Sequence, residues 1–268
     1  MGRRSISIRQ QERWVFNRLA AAYRHRPPYP HDLVERLGAL AGPLDSRVVD
    51  LGAGTGHLTW PLAHKGFRVA AVEPASAMLE ALVASADALP AQVTPVLASA
   101  ESTGLESAAF DLALIADALH WMDPALVGAE VARLLAPRGA LAIVEVQWRD
   151  SPLVQRLQHL FETYNPKARR ATATASAEVL SKVCSTQRPA IEQFTQEVSL
   201  GVESFEAFLK SLSFIGPALG PAALEQLVAK AQSVAHRCGG ARWTRLLTLS
   251  WTRREPGERI RSPVVALR

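Results

Sequence analysis

Five short apolar runs mark the first half of the chain: RVVDL at 47–51, RVAAVE at 68–73, VTPVLA at 93–98, FDLALIA at 110–116 and ALAIVEV at 140–146. Each is almost continuously apolar rather than alternating, the pattern of strands covered on both faces of a parallel sheet. Helical periodicity fills the gaps. Asp123 followed by Pro124 is an N-cap and first-turn pair; Val127, Val131, Leu134 and Leu135 then form one apolar stripe, which Pro137 and Gly139 bring to a stop. Strand, helix, strand at this spacing predicts a doubly wound, mostly parallel α/β sheet.

After Asp150 the pattern changes. QRLQHLFETYNP reads as a helix ending at Pro166, and ARRATATASAEVL as a polar loop entering a short helix. FTQEVSL at 194–200 alternates like a half-exposed strand, while SFEAFLKSLSFI at 204–215 and AALEQLVAKAQSVAHRCG at 222–239 have helical periodicity, the second closed by a glycine C-cap. ARWTRLLTLSWTRRE at 241–255 alternates again, with Trp243, Leu247, Leu249 and Trp251 on one face. The expected organisation is an N-terminal helical segment at 1–46, a core at 47–150, helices with the last two strands of the same sheet at 151–255, and a basic tail at 256–268. One late strand is expected to run antiparallel.

Composition narrows the classes. At 268 residues and 48% hydrophobic content the chain has ample material for a buried core. No apolar stretch approaches the roughly 20 residues that cross a bilayer, and MGRRSISIRQQER has no apolar segment behind its arginines. A cytoplasmic protein with no membrane association is expected. Cys184 and Cys238 are far apart and outside any paired motif, so neither a disulfide nor a metal cluster is anticipated. The net charge of +5 comes from the ends: residues 1–18 carry +4 and 253–268 carry +3, which leaves about −2 for everything between. A nucleic-acid groove needs basic residues clustered on folded surface with aromatic stacking positions, so no nucleic-acid partner is expected.

The stretch VVDLGAGTGHL, 48–58, carries the chemistry. A glycine-rich turn after the first strand of such a sheet lets backbone approach a ligand at the carboxyl ends of the strands. The dinucleotide pattern G-x-G-x-x-G is not met, because its third glycine would fall at His57. Asp50 stands two residues before Gly52, and a carboxylate there repels pyrophosphate and attracts a cation. Glu73, at the end of the second strand, can accept both hydroxyls of a ribose. A nucleoside with a cationic appendage and no phosphate satisfies both carboxylates, and S-adenosyl-L-methionine has that shape.

At this point the chain resembles the class I S-adenosylmethionine-dependent methyltransferases of the small bacterial type, close to trans-aconitate-methyltransferase-like proteins. The stretches that carry the resemblance are VVDLGAGTGHLTWPLA, AVEPASAML, ASAESTGL, FDLALIADALHWMD and LLAPRGALAIVE, in order, together with FNRLAAAYRHRPPYP upstream. The resemblance implies a Rossmann-like fold with a helical lid, S-adenosyl-L-methionine as cofactor, no metal, and a small-molecule acceptor such as a metabolite or natural-product intermediate methylated on oxygen, nitrogen or carbon. It implies that the N-terminal segment folds over the cofactor with Tyr23 and Arg26, Arg26 pairing either with the cofactor carboxylate or with an acidic substrate. Asp50, Gly52, Ala53, Gly54, Thr55 and Gly56 would hold the methionine moiety and Glu73 the ribose diol. Pro74, Met78, Ser99, Ala100 and Glu101 would surround the adenine, with Ser99 standing where the family often has aspartate. Asp117 would line the methyl-donor end. Pro61 departs from the family's helix former and is tolerable only in a first helical turn.

His120, with an unperturbed pKa near neutrality, is the candidate catalytic base, its alternative role being to line the cofactor. Tyr29, Trp121 and Tyr164 are candidate substrate contacts, with Arg169, Arg170 and Phe214 as further material for a substrate wall. Phe205, Phe208, Leu209 and Leu212 read as a packed stripe. A monomer or homodimer is expected. The same fold also hosts cofactor-binding proteins that do not transfer methyl groups, such as cyclisation catalysts or regulators, because function lives in the site.

Overall fold

The computed structural model describes residues 15–85, 92–166, 174–183 and 188–254. The basic ends, Cys184, Arg169 and Arg170 lie outside the described residues, apart from Val15, Phe16, Asn17, Arg18, Arg253 and Arg254.

Seven strands form one sheet in the order β3-β2-β1-β4-β5-β7-β6: β1 Arg47–Leu51, β2 Arg68–Val72, β3 Val93–Val96, β4 Phe110–Ala116, β5 Leu135–Trp148, β6 Ala190–Leu200 and β7 Ala241–Arg253. The pairs among β1 to β5 are parallel, whereas β7 is antiparallel to both β5 and β6. The doubly wound expectation, the late antiparallel strand included, is therefore met. The chain winds outward in two directions from β1, so the crevice between the carboxyl ends of β1 and β4 is the topological switch point where ligands bind in such sheets.

Strand alternation explains the layering. Val48, Leu112, Leu114, Val144, Leu247 and Leu249 face one side, where α2 (His31–Ala41) buries Leu33, Leu37 and Leu40 on them. Val49, Leu51, Ala113, Ile115 and Ile143 face the other, covered by α5 (Pro124–Leu134) through Val127 and Val131 and by α7 (Thr174–Val183) through Val179 and Leu180. A third cluster joins α6 (Pro152–Tyr164), α8 (Val202–Ser211) and α9 (Pro221–Arg237) to Trp243 of β7, and takes in the predicted stripe of Phe205, Phe208, Leu209 and Leu212. Among the described residues no helix is long and apolar enough to cross a membrane.

Local chemistry sets several boundaries. The Asp123 side chain accepts from the N–H of Ala125 and of Leu126 at 3.0 and 3.1 Å, and Pro124 opens α5, as the sequence predicts. Pro61 falls third in α3 (Thr59–His64), inside the first turn where its missing N–H costs nothing. β5 differs from expectation: it begins at Leu135 directly after α5 and runs through Pro137 and Gly139. A register shift between Phe110 and Leu112 absorbs the irregularity. Only glycine fits at 139, because an added Cβ would lie 2.8 Å from the Phe110 carbonyl oxygen.

Candidate active site

The site is built outward from β1. Asp50 pairs in register with Ala71 of β2 and Leu114 of β4, so the sheet encloses it on both edges and leaves it 2% exposed. Its Oδ2 accepts from the Thr59 hydroxyl at 2.7 Å. Burial pushes its pKa up to about 6, partly offset by that hydrogen bond. The turn that follows is tight. Gly52 has φ +78°, and an added Cβ would stand 2.7 Å from the Ala118 Cβ in the loop after β4. A side chain here meets both backbone strain and a clash.

The loop's amides are spent inside the protein. The N–H groups of Gly52 and Ala53 donate to the Val72 carbonyl at 2.9 and 3.1 Å, and that of Gly56 to the Ala53 carbonyl at 3.0 Å. The Gly54 N–H donates to Glu73 Oε2 at 3.0 Å, while Glu73 Oε1 accepts from the Ala75 N–H at 2.9 Å. These four donors are not arranged as a phosphate cradle, which would need converging unsatisfied N–H groups.

Beside Glu73 lies a narrow slot of about 60 Å³ walled by Pro74, Met78, Ala100, Glu101, Trp121 and Met122, with Phe16 and Tyr23 as its cover. The cover is α1 (Phe16–Tyr23), pinned to α4 (Ser76–Ala84) by Leu19 against Met78 and by Asn17 Oδ1, which accepts from the Ala77 N–H at 3.0 Å. Phe16 meets the Trp121 ring edge-on at 5.1 Å. Glu101 also holds the loop, accepting from the Asp123 N–H at 2.9 Å.

The slot opens into a cavity of about 1400 Å³ at the carboxyl ends of β1, β4 and β5 and the amino-terminal part of the antiparallel β7, lined by Asp50, Gly52, Ala53, Asp117, His120, Trp121, Tyr29, Arg26, Trp148, Phe208, Phe214 and Arg245 among others. Asp117 leaves β4 in a left-handed conformation, φ +48°, with its N–H donating to the Val144 carbonyl at 2.8 Å. Its carboxylate lies 3.6 Å from Arg26 Nη1. Arg26 also donates to the Ser211 carbonyl at 3.1 Å and stacks 4.2 Å over the Tyr23 ring. His120 faces the open cavity yet is ringed by protein atoms, and the lost hydration lowers its pKa below the usual histidine value, with Asp117 opposing. Burial raises the pKa of Tyr29 further above the usual tyrosine range, so its hydroxyl stays neutral.

Of the residues singled out from sequence, Tyr23, Gly52, Gly54, Asp117 and Trp121 line both the slot and the cavity. Glu73, Pro74, Met78, Ala100 and Glu101 line the slot, and Arg26, Tyr29, Asp50, Ala53, His120 and Phe214 the cavity. Four stand behind the walls. Thr55 is buried with its hydroxyl 3.2 Å from His57 Nδ1, Gly56 packs on Trp60, and Ser99 bridges to Ser102. Tyr164 turns away and takes Lys230 over its ring at 5.2 Å, while the adjacent Asn165 lines the cavity instead. Reading the sequence missed Phe16, Trp148, Ser176 and Arg245, all of them cavity-lining. For Arg245 a signal existed: it shares strand parity with Trp243, Leu247 and Leu249, so an arginine occupied an inward position. No group of side chains among the described residues could hold a metal ion.

Comparison with known proteins bears on the domain and the fold. Residues 49–143 match the family described as a methyltransferase domain. An uncharacterized methyltransferase of Mycobacterium tuberculosis is 44% identical over 130 residues, 48% of this chain and 51% of the relative, so the chain spans about half the length of the curated relatives it matches. Among solved structures, a candidate type II methyltransferase from Anaeromyxobacter dehalogenans superposes with a TM-score of 0.62 at 24% identity, covering 86% of this chain and 99% of that one. Phosphoethanolamine N-methyltransferase 2 from Haemonchus contortus, solved with phosphomonomethylethanolamine and S-adenosylhomocysteine, superposes with a TM-score of 0.53 at 16% identity, covering 93% of this chain and 58% of that one. At these identities the superpositions speak for the fold.

Proposed function

We propose that this chain, whose residues 49–143 match a methyltransferase domain, belongs with the class I S-adenosylmethionine-dependent methyltransferases and transfers a methyl group from S-adenosyl-L-methionine to a small-molecule acceptor held in the large cavity. One observation carries the reading: two buried carboxylates, Asp50 and Glu73, flank a glycine loop whose Gly52, Ala53, Gly54 and Gly56 amides are already bonded within the protein. That combination suits a cationic nucleoside and disfavours a phosphate.

The residues fit the group. Glu73 stands at the mouth of the slot with Pro74, Met78 and Ala100, an acceptor beside an apolar cleft, as ribose and adenine require. Asp50 supplies the negative charge for the ammonium end, and Arg26, stacked on Tyr23 next to Gly54, stands where a carboxylate would be neutralised. The bound donor supplies a methyl carbon already activated by its sulfonium, so the chain's own task is alignment and exclusion of water, worth effective molarities of about 10⁵ to 10⁸ M. α1 closes the slot through Phe16 and Tyr23. The lowered pKa leaves His120 neutral at neutral pH, able to accept a proton from an acceptor hydroxyl or amine at the cavity wall, a contribution of about 10² to 10⁴.

Titration calorimetry with S-adenosylhomocysteine, NAD and ATP tests the ligand. Tight binding of the first and none of the others is expected, and preference for either phosphate-bearing ligand overturns the reading. Transfer of isotope from methyl-labelled donor to an acceptor pool tests the chemistry. Donor binding without transfer to any member of a broad acceptor panel would favour a cofactor-binding protein without methyltransferase activity.

A further inference from the structure

Arg245 projects from β7 into the cavity wall and is only 7% exposed. Its Nη1 donates to the Pro27 and Pro28 carbonyls at 2.9 and 3.3 Å, which satisfies hydrogen atoms but supplies no negative charge. Among the described residues no carboxylate lies within ion-pair distance of it: Asp117 is engaged with Arg26, and the Tyr29 ring, 5.6 Å from its guanidinium carbon, bears a hydroxyl that burial keeps neutral. Asp117 reaches Arg245 only through space and is shared with Arg26, and a buried charge without a counter-ion in contact is costly and uncommon unless a ligand completes it.

A second observation points the same way. Ser176 on α7 is 5% exposed and lines the same cavity, and its hydroxyl oxygen has no hydrogen-bond partner among the described residues. Buried polar atoms are nearly always satisfied, so one left open in a cavity wall marks where a ligand bonds. The surface between is largely aromatic, with Trp148, Phe208 and Phe214 in the wall, and the volume is above that of most small-molecule sites.

We infer that Arg245 is the anchor for an anionic head of the acceptor, a carboxylate or phosphomonoester on a bulky aromatic or polycyclic body, with Ser176 bonding a neutral polar group of the same molecule. The inference rests on the methyltransferase reading and deepens it. The donor carboxylate has its own candidate cation in Arg26, beside the glycine loop, so Arg245 on β7 is left to the acceptor. The anion positions the acceptor and is not itself the methylated group.

The test uses the full chain saturated with S-adenosylhomocysteine and three probes, 1-naphthoate, 1-naphthyl phosphate and neutral 1-naphthamide, measured by calorimetry. The two anions are expected to bind roughly ten- to a hundredfold tighter than the amide, the worth of a charge-assisted hydrogen bond, and the tighter anion identifies the head group. Arg245→Gln is expected to remove the preference for the anions. Equal binding of anion and amide to the wild-type protein overturns the inference, a result that needs no variant to fold, and so does an unchanged preference in Arg245→Gln. Arg245→Lys, which keeps charge but not the planar fork, is expected to retain a reduced preference; a merely structural clamp on Pro27 and Pro28 would instead weaken all three probes alike. If Arg245→Gln loses tenfold in S-adenosylhomocysteine affinity while the probe preference persists, the arginine serves the donor carboxylate and the acceptor anchor is wrong. Failure of the wild-type protein to bind S-adenosylhomocysteine sinks the underlying methyltransferase reading, separately from the anchor.

Discussion

Asp50 holds opposing demands in one side chain. Its folded pKa of about 6 lies above the usual aspartate value near 3.8, so the folded state holds the proton more tightly than the unfolded chain. Stability is therefore greatest below about pH 4 as far as this group is concerned, and is lost as pH rises to about 6, by about 3 kcal/mol in all. Asp50→Asn removes the buried charge and should stabilise the ligand-free protein above pH 6 by about 1–2 kcal/mol, part of the gain being offset by the new amide's own hydrogen-bond needs. The same variant should bind S-adenosylhomocysteine at least tenfold more weakly, about 1.4 kcal/mol. Wild-type affinity should climb as pH rises through 6 and then level off, since the cationic end of the ligand favours the ionised carboxylate, and the variant's profile should be flat. Thermal melts and calorimetry across pH 5–8 check both. His120→Gln separates two roles: lost turnover with intact donor affinity assigns a base, and full activity removes it.

At the scale of elements, the cover of the slot hangs on a few contacts between α1 and α4. Asn17 bonds the Ala77 amide at the start of α4 and so caps a helix sixty residues away in sequence. Asn17→Ala should cost about 1 kcal/mol of stability and, by loosening Phe16 and Tyr23 over the slot, raise the dissociation constant of S-adenosylhomocysteine severalfold; unchanged affinity would show that α1 is not part of the donor site. The slot is continuous with the large cavity through Phe16, Tyr23, Gly52, Gly54, Asp117 and Trp121, so the helix that covers the one also borders the other. The sequence marked this element as a cover only by resemblance. Its α1 stripe of Phe16, Leu19 and Tyr23 gave no hint of which surface it would meet, because an amphipathic pattern specifies a buried face and not the partner.

For the molecule as a whole, the N-terminal segment is strapped to the last two strands. Arg36 forms a bidentate pair with Glu192 at 2.8–2.9 Å, the Trp251 Nε1 donates to the same carboxylate at 2.7 Å, and Gln196 and Arg245 hold the Pro28 and Pro27 carbonyls. The Arg36–Glu192 pair is about one-third exposed, so screening limits its worth to roughly 0.5–1 kcal/mol. Glu192→Ala should lower the melting temperature by about 2–4 °C and leave donor affinity within twofold, because the strap lies away from the glycine loop. A tenfold loss of affinity would show that the strap itself shapes the site.

Periodicity and turn chemistry carried the sheet a long way. Continuous apolar runs located β1 to β4 within two residues, Asp123 and Pro124 located α5, and the Asp50, glycine and Glu73 spacing located the loop that borders the slot and the cavity, because each of these signals is local and acts on neighbouring backbone. β5 began earlier than expected because the Phe110 bulge and the glycine at 139 let strand geometry pass a proline, which depends on the partner strand. Ser99, read as an adenine contact, and Tyr164, read as a substrate contact, line neither the slot nor the cavity, whereas Arg245, Ser176 and Trp148 line the cavity, for one reason: which side of a loop or helix end faces a cavity is fixed by packing between segments remote in sequence. The chain by itself determined the sheet and the charge beside its glycine loop. Only the assembled fold decided that an arginine on the last strand, a serine on α7 and a ring from β5 share one cavity, since burial in common is a property of tertiary packing and leaves no periodic trace in the sequence.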